Sequence, residues 1–346
     1  MNQIQVLGSH NSYKKMMRAD AFAELQAGNP EVAATLEYGH PSLTEQLELG
    51  LRKLELDVFY DPQGTLFPAA QPGNGPHSLF PVLHVQNLDD QSNCVNLLVC
   101  LDEIRAWSEA NPDHLPLFLS INAKDDVIDR PGFLHPLPFA EDAWLALDAE
   151  LRSALGPGAS DSGAAGPGMS PEPRSLLITP AEVFADGGLR WPELDAARGR
   201  ILVVLDESGE KLASYSSRWR ERAMFANLPE DHPGAAILIV NDPINDYGRI
   251  QRLVLAGFIV RTRADADTRE ARSGETLRRT RAFASGAQLI STDYYLPAEH
   301  FGTGYVVAIT GGARCNPLLT ATGCTINKVP REEPVLVEPY LQIPQR

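Results

Sequence analysis

The chain has 346 residues, 43% of them hydrophobic and 22% charged, and its 30 Lys and Arg against 45 Asp and Glu leave a formal net charge of −15. That acidity excludes a general nucleic-acid binder, which needs a dense basic face to follow phosphates. No apolar run approaches the roughly 18 residues of a spanning helix, and the length suits one large α/β domain with insertions.

In chain order, aliphatic and β-branched runs predict strands at Ile4 to Ser9, Leu51 to Phe59, Val82 to Val85, Leu115 to Ile121, Arg200 to Leu205, Ala236 to Val240, Gly257 to Arg261 and Gln288 to Ser291. Helical patterns fall at Leu43 to Leu49, Val95 to Ala110, Ala140 to Leu155, Ala181 to Phe184, Ser217 to Ala226, Asp246 to Ala256 and Asp267 to Ser285, the last with Asp267 and Thr268 as caps. Repeated βα units with eight strands predict a TIM-type (β/α)8 barrel. Pro- and Gly-rich stretches at about 61–81 and 156–173 distort it as surface insertions. The barrel is expected to span residues 1–301, with 302–346 as a C-terminal extension packed on its outside.

Cys94 and Cys100, and Cys315 and Cys324, have neither CxxC spacing nor clustered histidines, which argues against zinc. Two local disulfides in an exported protein is the preferred reading, and four buried thiols in a cytosolic enzyme the alternative. No leader is visible, since Met1 is followed by a polar stretch and then a core strand. A secreted or periplasmic location is expected, with a cytoplasmic one as the alternative.

Reactive groups in a βα barrel sit at the carboxyl ends of its strands. The first strand ends in Gly8-Ser9-His10-Asn11-Ser12-Tyr13 and the second in Leu54-Glu55-Leu56-Asp57-Val58, whose period of two puts Glu55 and Asp57 on one face. Two inward carboxylates are expensive to bury without a cation. The third predicted strand delivers His84. An amide oxygen, two carboxylates and two histidines at one rim point to a hard, oxygen-ligated cation, calcium or magnesium in preference to zinc.

These three segments resemble phosphatidylinositol-specific phospholipase C, in particular its bacterial calcium-dependent branch. Val260-Arg261-Thr262-Arg263-Ala264-Asp265 and Ile290-Ser291-Thr292-Asp293-Tyr294-Tyr295 are similar to closing segments of that branch, so the likeness runs from the first strand to the eighth. It implies that His10 contacts the phosphoryl oxygens and that His84 is the general acid toward the diacylglycerol oxygen. It also implies that calcium on Asn11, Glu55 and Asp57 activates the inositol 2-hydroxyl, with Glu55 as a base. The product is then a 1,2-cyclic inositol phosphate that water can open. Where the family commonly carries a further acidic ligand this chain has Asn122, which ligates without charge. Lys124, Arg200, Asp206, Arg261, Arg263, Asp293 and Tyr295 are the candidates for holding phosphate or inositol. The implied partner is a phospholipid or inositol phosphodiester met transiently at a membrane surface. Two alternatives are a glycerophosphodiester phosphodiesterase, whose barrel also uses a Glu-x-Asp pair and two histidines, and a barrel that binds headgroups without turnover.

Overall fold

The computed structural model describes residues 1–71, 75–156, 175–319 and 324. Among the described residues there are ten strands: β1 (Ile4–Ser9), β2 (Lys53–Val58), β3 (Leu117–Ala123), β4 (Leu177–Ile178), β5 (Ile201–Leu205), β6 (Phe225–Ala226), β7 (Ile237–Ile239), β8 (Ile259–Arg263), β9 (Leu289–Thr292) and β10 (Ala313–Cys315). They form one curled sheet in the order β4-β5-β3-β2-β1-β9-β8-β7, parallel throughout, with β6 parallel to β5 and β10 antiparallel to β1. Between β6 and β7 the join is made by a side chain: the Ile239 amide donates to Asn227 Oδ1 at 2.9 Å. This is the distorted TIM-type barrel predicted from the alternation of strands and helices.

Register pairing defines the inward face. Gly8 lies opposite Lys53 and Ser291, Lys53 opposite Phe118, Phe118 opposite Leu202, Leu289 opposite Arg261, and Arg261 opposite Ile239. Paired residues share a face and every second residue repeats it. The lower lumen is therefore apolar, with Ile4, Val6, Phe118, Leu202, Val204, Ile237, Ile259 and Leu289 packed in one cluster. One pleat higher, Lys53, Glu55, Ser120, Arg261 and Ser291 fill the same lumen, all buried. At the carboxyl ends the same parity brings His10, Asp57, Asn122, Asp206, Asn241, Arg263 and Asp293 to the mouth. The opposite parity of β2, β3 and β5, including Leu54, Leu56, Leu119, Ile121 and Val203, packs outward into a second core that α4 (Leu97–Ala110) and α5 (Glu141–Leu155) cover.

Several expectations change. Val82 to Val85 is not a barrel strand: it makes isolated antiparallel bridges, Val58 with Val82 and Val85 with Asp89. β3 already pairs with β2 along all six residues, so no edge is left for it, and Pro81 has no amide to extend a ladder. The two-residue strands β4 and β6 instead divide the outer edge of β5. Ser217 to Ala226 is not a helix. The helix here is α8 (Gly209–Ser216), and the next turn is held open because buried Arg222 bonds the Tyr215 carbonyl (2.9 Å), Glu141 (2.7 Å) and Asp148 (3.4 Å). Asp267 to Ser285 is two helices, α10 (Arg269–Ser273) and α11 (Leu277–Ala284), separated at Gly274, whose φ of +74° ends the first. Thr268 is the N-cap residue of α10, as expected, but its side chain makes no cap bond; its hydroxyl donates to the Ala34 carbonyl at 2.7 Å. Helices α1 (Ala19–Gly28) and α2 (Pro30–Leu36) follow β1 unforeseen.

In the 61–81 insertion the Asp61 carboxylate accepts the amides of Thr65, Leu66 and Phe67, which ties the excursion into a turn. Beyond Gly156, the 156–173 insertion lies outside the described residues, as does most of 320–346. Cys94 is joined to Cys100 and Cys315 to Cys324, the two local disulfides the spacing suggested.

Candidate active site

The first and second strands share a single register pair, Gly8 with Lys53. Side chains fasten them above it: Ser12 Oγ lies 2.5 Å from Ser9 Oγ and accepts the Glu55 amide at 2.8 Å, while the Ser12 amide donates to the Glu55 carbonyl at 2.9 Å. Gly8 is required here, because a Cβ at that position would lie 2.3 Å from Cβ of Lys53. Asn11 then takes a left-handed conformation, φ +46°, which Asn tolerates better than most residues.

Lys53, absent from the sequence-derived site, is fully buried in the lumen and explains how Glu55 can be there. Its ammonium bonds Glu55 and the Ser9 carbonyl (3.0 Å), and Arg261 donates to the same Glu55 oxygen at 2.7 Å. Arg261 also reaches Asn241 and lies 3.8 Å from Asp206. Burial raises the Glu55 pKa, but Arg261, Lys53 and His10 outweigh it and hold this carboxyl well below the ordinary range. A carboxylate so held is a fixed anion within the lumen.

His10, the first residue after β1, presents Nδ1 to Asp293 Oδ1 at 3.0 Å. Its Nε2 lies 3.4 Å from an Arg263 guanidinium nitrogen and 3.7 Å from Glu55 Oε1. Arg263 completes the triangle with a 3.1 Å bond to Asp293 Oδ2. Burial pushes the His10 pKa down, Arg263 adds to this, and Asp293 and Glu55 oppose it, with a net lowering. For Asp293 burial is outweighed by His10, Arg263 and His40, and its pKa falls to about 2. Behind it Asp265 accepts the Asp293 amide at 2.9 Å and the Thr292 hydroxyl; burial and the Asp293 charge push its pKa up to about 7.

Tyr295 serves the floor of the site. His40 Nε2 bonds the His10 carbonyl oxygen at 2.8 Å and must carry the proton, so Nδ1 accepts from the Tyr295 hydroxyl at 3.1 Å. Burial lowers the His40 pKa to about 4, consistent with that neutral tautomer. Tyr38 stacks near His10 at 6.0 Å and receives the Asn11 amide at 2.8 Å. His84 stands on the loop after β2, its Nδ1 2.8 Å from Asp89 Oδ2. Asp89 also faces buried Lys14 at 3.3 Å, whose ammonium bonds the carbonyls of Leu36 (3.0 Å) and Tyr38 (2.6 Å).

Asp57 and Asn122 are register partners at the ends of β2 and β3. Lys124 lies 3.5 Å from Asp57 Oδ2, and the Asn122 amide nitrogen donates to the Asp206 carbonyl at 2.8 Å. Among the described residues no three His, Cys, Asp or Glu side chains form a metal-binding group. The expected set is of another kind, two carboxylates and two amides. Both amide nitrogens are engaged, Asn11 by Tyr38 and Asn122 by Asp206, which leaves both amide oxygens to ligate. An all-oxygen set fits a hard divalent cation, with the Asp57 charge unshared by any buried cation among the described residues and that of Glu55 shared with Lys53 and Arg261.

Arg200 is not brought to this site. It precedes β5, at the far end of the strand from Asp206, and forks onto Glu182 (2.5 and 2.7 Å) and the Leu177 carbonyl (2.8 Å). Five strand residues separate the two ends by about 17 Å. Of the residues the sequence reading missed, Lys53 carried a signal, since it shares the Glu55 and Asp57 face and answers their need for a cation. Lys14, Tyr38, His40 and Asp89 lie on loops and isolated bridges whose packing no local pattern encodes.

A family model described as phosphoinositide phospholipase C, Ca2+-dependent, matches residues 1–317. No curated protein matches the chain. Among solved structures, the calcium-dependent phosphoinositol-specific phospholipase C of the Gram-negative bacterium Pseudomonas sp., in a myoinositol complex, aligns over 91% of this chain and 94% of its own at 17% identity and a TM-score of 0.52. A second crystal form of the apo enzyme gives the same figures. At that identity the likeness is one of fold.

Proposed function

The chain belongs to the Ca2+-dependent phosphoinositide phospholipase C family, and from that premise we propose that it cleaves phosphatidylinositol to diacylglycerol and inositol 1,2-cyclic phosphate, which water then opens. The observation that carries the reading is the His10, Asp293 and Arg263 triangle at the mouth of a charged lumen. Asp293 holds Nδ1 of His10 as donor, leaving Nε2 to accept a proton from the inositol 2-hydroxyl, which attacks its own phosphodiester. His10 takes this task in place of Glu55, whose carboxylate is already bound by Lys53 and Arg261. Arg263, beside Nε2, is placed to bind a phosphoryl oxygen and stabilise the charge that develops there. His84, anchored through Nδ1, keeps Nε2 for delivering a proton to the diacylglycerol oxygen.

Asn11, Glu55, Asp57 and Asn122 would hold calcium. When bound it supplies Lewis-acid neutralisation of the phosphate and of the ionising hydroxyl. The buried ion pairs of Lys53 and Arg261 fix Glu55 within that set. Asp206 and Lys124 remain available to inositol hydroxyls or phosphate. Two disulfides support a secreted or periplasmic setting. Among the described residues no helix is long and apolar enough to cross a membrane.

Phosphorus NMR of products from phosphatidylinositol vesicles in calcium tests the proposal. A cyclic inositol phosphate appearing first supports it. Release of glycerol phosphate from glycerophosphodiesters, with phosphatidylinositol untouched, would replace it with the glycerophosphodiesterase reading, and headgroup binding without product would leave a binding barrel.

A further inference from the structure

The two carboxylates of the cation site are not equivalent. The cations on Glu55 are permanent fixtures: Lys53 is fully buried and also bound to the Ser9 carbonyl, and Arg261 is buried and bound to Asn241. Neither can leave without stranding a charge in the lumen. Asp57 is different. Its nearest cation is Lys124 at 3.5 Å, and the Lys124 side chain is 25% exposed where that of Asp57 is 5%. The Lys124 backbone is anchored by its amide to the Val58 carbonyl at 2.8 Å, so only the flexible stem and the ammonium would move, outward into solvent.

Resting on the calcium reading above, we infer that Lys124 is a built-in competitor for the metal, neutralising Asp57 in the metal-free protein and leaving it when a divalent cation binds. With Glu55 already paired and Asn122 uncharged, Asp57 is the one ligand whose charge the metal can fully claim, and Lys124 sets how much of it is available. The lysine thereby lowers calcium affinity and keeps the empty mouth from holding an unpaired buried carboxylate. An ion pair partly open to water is worth little, on the order of 1 kcal/mol, so the competition is worth up to about fivefold in dissociation constant.

The test is isothermal titration of calcium into the EDTA-stripped full chain, comparing wild type with Lys124→Met, Lys124→Gln, Lys124→Arg and Asp57→Asn, with melting in EDTA as a check that each is folded. Lys124→Met and Lys124→Gln should bind calcium roughly two- to fivefold more tightly, Lys124→Arg about as wild type, and Asp57→Asn far more weakly. If wild type binds calcium and Asp57→Asn abolishes it, but removing the Lys124 charge leaves affinity unchanged or weaker, the competitor role is overturned and the metal site stands. If no folded form binds calcium, both readings fall.

Discussion

Asp293→Asn isolates the unit on which the proposed chemistry turns. The carboxylate accepts from His10 at 3.0 Å and from Arg263 at 3.1 Å inside a buried site. While His10 is neutral, Asp293 serves chiefly to orient it; once His10 accepts a proton, the same contact becomes a hydrogen bond between two charges, so its worth is realised in the transition state. A hydrogen bond to a charged partner contributes roughly 1.5–3 kcal/mol, and the substitution should lower kcat/KM by about 10- to 10²-fold. Because Asp293 raises the His10 pKa against burial and Arg263, its loss should also move the acidic limb of the pH profile to lower pH. The assay is the pH dependence of kcat/KM on a soluble inositol phosphodiester, where lipid packing plays no part. A plateau within threefold of wild type, or an acidic limb displaced upward, would refute the reasoning.

His84→Ala should cost on the order of 10² or more with phosphatidylinositol and far less with a nitrophenyl leaving group, which departs unprotonated; equal losses on both substrates would deny it the role of acid. Burial holds the pKa of both His40 and His114 at about 4, below the ordinary 6.5. The unfolded chain therefore binds protons the native protein refuses, and stability should fall as pH drops from 6.5 to 4, by up to ~3 kcal/mol per histidine. Urea titrations across that window measure it, with a shallower slope expected for His114→Gln. Arg200→Ala should lower the melting temperature through loss of the Glu182 fork while leaving kcat/KM within about twofold, and a large kinetic defect would return Arg200 to the site.

Most of the barrel was legible because its signal is local. Seven of the eight predicted strands lie in the sheet, since aliphatic runs between helical patterns need no distant information to be recognised. Val82 to Val85 misled because a short apolar run looks the same whether it pairs in a ladder or packs over one. The two-residue strands β4 and β6 are too short for any periodicity, and their existence depends on the free edge of β5. In the site, parity along β2 correctly set Glu55 and Asp57 side by side, and the demand for a countercharge was correctly felt. That the demand is met in part by Lys53 and Arg261 required the register of β8 against β9 and β9 against β1. Arg200 was misplaced because a sequence shows that a residue flanks a strand more readily than it shows at which end of the barrel it will stand.

The pairing of β1 has a consequence for how the chain reaches this state. Strand β1 waits for Leu289–Thr292 on one edge and Ala313–Cys315 on the other, with only Gly8 to Lys53 as an early partner. Nearly three hundred residues must emerge before its hydrogen-bonding groups are satisfied. Contacts so distant in sequence are slow to form, and an unpaired edge strand is an invitation to intermolecular pairing meanwhile. His10 and Asn11 follow directly on this strand and Asp293 on its late-arriving neighbour, so the contact between His10 and Asp293 forms only once β1 and β9 have paired.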